Sequence, residues 1–387
     1  DSTRGRANVL REFLTMNVKD NPFDHPEIME AMDLCLSCKA CTSECPSNVD
    51  MTTLKAEFLY QYQKSHGVSM RTKLFAHIAS LNAILQRFPR CSNFMINNRA
   101  ISTLIKSSLG IAQERSIPQV SKTSWKSYIK KHKFIFPTTN HRKGELYLFC
   151  DEFTNLNESD IGIKAIKLLN ALGFDVKFVN HPESARAAMS KGLLDYAQKI
   201  AEKQIDIFSP LIHKDCPLVG IEPSAILSFK DEYPKLVSRD KKEIAEKIGD
   251  QVYTIESFLM KAFKEGKITS SNFTAETKTV LAHVHCHQTS LSSAEEVYHL
   301  LSLPKNYSVQ KAPAGCCGMA GSFGYEKEHF DLSMEIGNQG LLPVVRNSNE
   351  DTILLATGTS CRHQIFDATS RKAYHTVEIL FDALANS

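Results

Sequence analysis

The sequence lacks several features that would place it in large protein classes. No run approaches the ~18 apolar residues of a membrane-spanning helix. No secretory signal opens it, so its eleven cysteines are expected in a reducing compartment, the cytoplasm, where thiols serve metals. No nucleic-acid motif is present and aromatics do not alternate with basic residues, which argues against DNA or RNA. Acids are scarce in one region: between Gln61 and Glu145 there are 15 Lys/Arg against 2 acids, Glu114 and Glu145. This local excess of +13 sits in a chain of net +3, leaving −10 for the rest. It reads as a solvated basic helix pair, or as a face for an anionic membrane surface or an acidic partner. An initiating Met is also missing; the opening Asp1-Ser-Thr-Arg-Gly-Arg leads us to expect a longer natural polypeptide.

What is present is one dense run, Cys35-Leu-Ser-Cys38-Lys-Ala-Cys41-Thr-Ser-Glu-Cys45-Pro46. Its C-x2-C-x2-C-x3-C-P spacing gathers soft thiolates as a [4Fe–4S] cluster requires. Zinc sites usually split into two separated pairs, and a chain of 387 residues needs no disulfide framework. In two-cluster proteins the fourth Cys of each run serves the other cluster. With no second run here, Cys45 is expected to reach a cluster held by an upstream run. Lys39 is expected to be solvated, or to tune the cluster through its charge.

Residues 1–135 read as helical. Helix-compatible patterns cover 8–16, 26–34, 53–65, 70–86 and 100–112, and Leu74, Ile78, Leu81, Ile84 and Leu85 form one apolar stripe. The stripe reads as core packing in preference to membrane contact. The basic, Ser-rich stretch 116–143 reads as a linker. From Gly144 strands alternate with helices: runs at 145–150, 175–179, 205–208 and 218–222, then at 280–285, 308–311 and 352–356, with helices at 161–172, 193–202, 293–301 and 330–345. Such alternation implies parallel sheets. The second copy begins about 135 residues after the first, an internal duplication. The fold class is therefore a helical domain (1–135) followed by two α/β domains (144–272 and 273–387).

In the second repeat three strand ends carry cysteines: His285-Cys286-His287, Ala314-Gly315-Cys316-Cys317-Gly318, and Gly358-Thr-Ser-Cys361-Arg362. Strand carboxyl ends are where open α/β sheets bind ligands. Adjacent cysteines can both ligate a polynuclear cluster, and flanking glycines let backbone approach sulfur. Cys286, Cys316-Cys317-Gly318 and Cys361 resemble the CCG domain that occurs in one subunit of heterodisulfide reductase, in one of succinate:quinone reductase, and in the iron–sulfur subunits of glycolate and anaerobic glycerol-3-phosphate dehydrogenases. With Ser2–Arg11, the Cys35–Pro46 run, Ser190–Leu194, Glu222-Pro-Ser224 and Gly358–Arg362, the chain is similar to the C-terminal half of FAD-linked oxidases of the bacterial D-2-hydroxyglutarate and D-lactate dehydrogenase type. That resemblance implies a helical ferredoxin-like domain and two CCG domains, with FAD and another cysteine run in a preceding half.

Two departures stand out. Position 364 is Gln364 where the full pattern has cysteine, which leaves four thiols for an iron–sulfur cluster, a zinc ion, or a cluster with a non-Cys ligand near His285, His287 or His363. The first repeat has Glu183-Ser184-Ala185-Arg186 and Pro223-Ser224-Ala225 where cysteines would stand, so it reads as scaffold, with Cys150, Cys216 and Cys91 as packing thiols. Arg362 is a candidate for orienting a substrate or an acidic partner. The resulting expectation is an electron relay, through Cys35, Cys38 and Cys41 and then Cys286, Cys316, Cys317 and Cys361, from FAD of a 2-hydroxy-acid dehydrogenase domain to a quinone or electron-transfer protein, with peripheral membrane contact compatible. Alternatives are a CCG-site disulfide or quinone reductase, and a zinc-stabilised partner-binding module.

Overall fold

A computed structural model describes residues 2–16, 21, 23–132, 142–313 and 315–385. Ala314, Asp1 and the 133–141 part of the expected linker lie outside them. The amino-terminal part is helical: α1 (Thr3–Met16), α2 (Pro26–Asp33), α3 (Ala40–Glu44), α4 (Met51–His66), α5 (Met70–Ala76), α6 (Ile78–Leu85), α7 (Pro89–Asn97), α8 (Arg99–Leu109) and α9 (Trp125–His132). Local chemistry sets several ends. Asp50 accepts from Thr53 N–H to cap α4, Ser69 caps α5, Asn98 caps α8, and Gly110 (φ 62°) closes α8 in the left-handed region. The expected helix over 70–86 is interrupted at His77, whose ring packs edge-on against Tyr196 of the first α/β unit, centroids 4.7 Å apart.

Two four-stranded parallel sheets follow: β1 (Gly144–Phe149), β2 (Phe174–Lys177), β3 (Leu218–Gly220) and β4 (Val252–Thr254), then β5 (Thr277–His283), β6 (Asn306–Lys311), β7 (Ile353–Ala356) and β8 (Ala373–Tyr374). The orders are β2-β1-β3-β4 and β6-β5-β7-β8, all pairs parallel. Identical order in two copies is what the duplication implied. The mixture of a helical part and parallel α/β sheets is the expected fold class. The buried inner strands read as apolar runs because both faces are covered.

Three local readings are corrected. The apolar run 205–208 ends a helix, Leu194–Phe208, instead of forming a strand. The helix expected over 330–345 is two, Phe330–Asn338 and Leu341–Asn347, because Pro343 cannot continue a helix through the preceding turn. Residues 116–132 of the supposed linker are anchored: Ser116 Oγ donates to Asp367 at 2.5 Å, and Trp125 in α9 is fully buried on Gly162, where an added Cβ would meet the indole at 2.4 Å.

Candidate iron–sulfur relay site

The Cys35–Pro46 run forms a loop closed by the one-turn helix α3. Two residues between its cysteines, Ser37 (φ 52°) and Lys39 (φ 64°), adopt the left-handed conformation without being glycine. Such strain persists only where surroundings enforce it and gathers at functional sites. Here it wraps the backbone around the thiols. Burial pushes the Cys38 thiol up to about 11, and Cys286, Cys35 and Cys41 add to the rise through their charges. Cys45 lies in a different setting: the backbone N–H groups of Val49, Ser47 and Asn48 hold its pKa below the ordinary thiol range.

Lys39 corrects the expectation of a solvated side chain. It is completely buried, pairs with Asp231, and lies 3.0 Å from Glu232 and 3.9 Å from Asp50. Burial opposes ionisation of Asp50, but the Lys39 charge holds its carboxyl well below the usual carboxylate range. A buried ammonium needs such partners, since unpaired burial would cost several kcal/mol, on the order of the ionic desolvation penalty. The sequence placed Lys39 among polar loop residues; its closest partners, Asp231 and Glu232, come from the first α/β unit, about 190 residues away, so no local signal revealed them.

At the carboxyl ends of β5 and β7 the second α/β unit gathers sulfur. Cys286 lies beside Cys316, and that neighbour together with burial raises its pKa far above the thiol range. Cys316 also contacts Cys317, and Cys317 contacts Cys361 and His283. His283, Cys317 and Cys361 offer ligand atoms all within 4.8 Å of one another. Thus the structure brings the four expected thiols together and adds a group that sequence reasoning missed. His283 is 2% exposed, and neither ring nitrogen has a hydrogen-bond partner. A buried imidazole with both nitrogens orphaned needs an explanation, and a metal beside two thiolates supplies one. Its position at the end of β5, three residues before Cys286, was the available signal.

The expected histidines behave differently. His285 Nδ1 accepts from His287 N–H at 3.2 Å, and His287 Nε2 donates to the Ser37 carbonyl at 2.9 Å. That second bond joins the two cysteine sites directly. His363 is half-buried with Nδ1 shielded and unpartnered. Glycine is required at two points: a Cβ on Gly318 (φ 89°) would meet the Ser333 carbonyl at 2.1 Å, and one on Gly358 would meet the His285 ring at 2.3 Å. Gly318 N–H also points at Cys316 Sγ, 3.4 Å away.

Gln364 has a use of its own. Its Oε1 accepts from Arg115 Nη1 at 2.6 Å and its Nε2 donates to the Ser333 carbonyl at 3.1 Å. Arg115 is fully buried and also donates to Gly324 O and Ser333 Oγ, so position 364 fastens the helical part to the second α/β unit. Arg362 is committed likewise, to Glu158 Oε1 at 2.9 Å, Oε2 at 2.5 Å and the carbonyls of Ala356 and Thr357. Burial opposes both charges, yet the pairing holds Glu158 down at about 2 and Arg362 above its usual range.

Four soft sulfurs, an orphaned imidazole and N–H groups aimed at sulfur make a donor set suited to iron–sulfur or zinc, beside a strained thiol loop suited to a cluster. A helical cysteine-loop part joined to tandem parallel α/β repeats is the class that fold and site define. Over 381 residues, 95% of its length, the chain is 25% identical to D-2-hydroxyglutarate dehydrogenase of Escherichia coli K12, covering 36% of that protein. It is 24% identical over 392 residues to D-2-hydroxyglutarate dehydrogenase of Pantoea ananatis, 99% of this chain and 37% of that one. It is also 24% identical over 319 residues to one subunit of the anaerobic glycerol-3-phosphate dehydrogenase of E. coli K12, 82% of this chain and 78% of that one. These homologues match the resemblance to FAD-linked oxidases and their iron–sulfur subunits. The chain spans little more than a third of the length of the D-2-hydroxyglutarate dehydrogenases it matches. No family model matches the chain, and no solved structure matches it significantly.

Proposed function

We propose that this chain is the iron–sulfur relay of a flavin-dependent 2-hydroxy-acid dehydrogenase, carrying electrons from an FAD-bearing domain toward a quinone or electron-transfer protein. The observation that carries the reading is adjacency. Cys38 feels the charge of Cys286, α3 packs on the helix Cys286–Leu291, and His287 bonds the Ser37 carbonyl. Two thiol-rich sites from opposite ends of the chain lie side by side, as a relay requires.

Cys35, Cys38 and Cys41 would hold a [4Fe–4S] cluster, and Cys45 is kept for the partner run of a crossed pair. Cys286, Cys316, Cys317 and Cys361 would hold the second centre, with His283 as its nitrogen ligand. Bound clusters supply one-electron steps between flavin and acceptor. The chain's own residues set their surroundings: Gly318 N–H at Cys316 sulfur, the His287–Ser37 bond between sites, and burial that keeps water from the Cys317 and Cys361 thiols. The basic helices would meet an acidic partner or the surface of a membrane; no helix among the described residues is long and apolar enough to cross one.

The 4.8 Å trio of His283, Cys317 and Cys361 favours one other reading, a zinc ion at the C-terminal site. Metal analysis and EPR separate the two. The relay expects iron and sulfide at both sites, reducible by dithionite, and no oxidation of a 2-hydroxy acid by this chain without the flavin domain. One zinc per chain with no iron at the C-terminal site, or hydroxy-acid oxidation by this chain alone, defeats the relay.

A further inference from the structure

We propose that a cavity between α5–α8 and the two cysteine sites binds a quinone, which makes it the acceptor site of the relay; the proposal rests on the relay reading above. The cavity measures about 460 Å³, within the ~300–1,000 Å³ of small-molecule sites. One side is apolar: Leu74, Ile78, Leu81 and Leu85 of the stripe, with Ile105 and Leu109 of α8. The other side carries Cys35 and Cys286, one from each thiol site. An occupant therefore touches both redox sites and a hydrocarbon wall at once.

Three features narrow its chemistry. First, the cations lining the cavity are already committed. Lys55 donates to the carbonyls of Cys35 and Asp33, Arg186 to Glu232 at 2.9 Å, and Lys191 to Glu326. Only Lys55 lacks a carboxylate partner, and its ammonium already serves two carbonyls, whereas a neutral ligand needs no counter-charge. Second, buried His287 and half-buried His363 line the same cavity, and each has a shielded, unpartnered Nδ1. With Nε2–H given to the Ser37 carbonyl, neutral His287 leaves Nδ1 as an acceptor for a quinol hydroxyl, while His363 Nδ1 donates to a quinone carbonyl or accepts from a quinol hydroxyl according to tautomer. Third, the helices that form the wall are themselves lipophilic and basic. Residues 70–109 contain six Lys/Arg and no acid, and Ile84, Phe88, Phe94 and Leu104 are 59–72% exposed. That surface fits a bilayer that stores the ligand.

The stripe thus has a different use from the core packing that its spacing suggested. Buried positions of these helices are small or polar, Ala76, Ala79, Asn82, Ser92 and Ser102, while Leu74, Ile78, Leu81, Leu85, Ile105 and Leu109 face the cavity. The reaction is quinone plus two electrons and two protons giving quinol. The electrons come singly from the hydroxy-acid oxidation through the thiol-held centres, and the protons come from solvent.

The test is photolabelling of the natural, cluster-loaded protein with an azido-quinone of short isoprenoid tail, mapped by mass spectrometry. Label should fall within residues 70–117, be competed by unlabelled quinone, and drop at least tenfold in Leu81→Trp but not in Ile244→Trp, a remote exposed position. Label placed outside the cavity, absent label, or undiminished label in a Leu81→Trp protein of normal iron content overturns the proposal. If Leu81→Trp does not fold, the wild-type label map decides. This readout needs no hydroxy acid, so the relay reading fails separately, when no 2-hydroxy acid reduces the centres of the complete enzyme.

Discussion

The two α/β units share a strand order and differ at one rim. After β1 and β3 the first carries Asp151, Glu152 and Glu222; after β5 and β7 the second carries His285, Cys286 and Cys361. Where the second has Cys316-Cys317-Gly318 the first has Glu183-Ser184-Ala185, and Ala185 keeps a left-handed φ of 55° where Gly318 has 89°. The two rims share their geometry, with oxygens in the first unit where the second has sulfur. Those oxygens now bond protein groups. Glu152 accepts from Ser184 N–H and Oγ at 2.9 and 2.7 Å, and Glu222 accepts from Thr359 N–H at 2.9 Å, capping the helix that holds Cys361. Glu158 takes Arg362, the next residue. One repeat gathers the thiols and its sibling holds them in position.

The largest effect expected from breaking this contrast is in Cys317→Ala. Nearly all iron of the C-terminal site should be lost while the EPR signal of the Cys35–Cys41 site remains. By contrast Cys150→Ala, at a buried thiol of the first unit, should leave iron content unchanged and cost about 1 kcal/mol in denaturant melts as a small packing defect. Next comes Glu158→Ala, which strands the buried Arg362 charge and should cost about 3–5 kcal/mol. The double variant with Arg362→Met should recover part of that loss.

A third variant probes the seam between the helical part and the second unit. His329 bonds Asp33 of α2 at 2.9 Å and Glu326 at 3.1 Å. Burial opposes its charge, but those two carboxylates raise its pKa to about 9. A raised histidine stabilises fully below its unfolded value of about 6.5, and the gain disappears as pH rises through about 9. Wild-type melting temperature should therefore fall between these values, whereas His329→Gln should be flatter across that window and less stable at pH 6. The smallest effect belongs to Glu222→Gln. It should weaken the Thr359 cap by about 1 kcal/mol, with a shifted C-terminal EPR signal revealing displacement of Cys361.

Both thiol groups were legible because ligand spacing and strand ends are local patterns. The alternation of strands and helices was legible too, since inner strands are buried on both faces. The short strands β4 and β8, three and two residues long, carry too little pattern to see. His283, Lys39 and Arg115 escaped for a different reason. Their meaning lies in partners or missing partners across the fold: two orphaned nitrogens, carboxylates of another unit, and Gln364 far along the chain. The apolar stripe was visible, but spacing alone does not tell a packed neighbour from a cavity.

Lys39 has a consequence for biogenesis. Its loop is tied to the first α/β unit through Asp231 and Glu232, and to the second through Ser37 and His287. The conformation of the loop around Cys35, Cys38 and Cys41 then depends on both α/β units having folded, so this amino-terminal loop is expected to order late, after residues far along the chain have found their places.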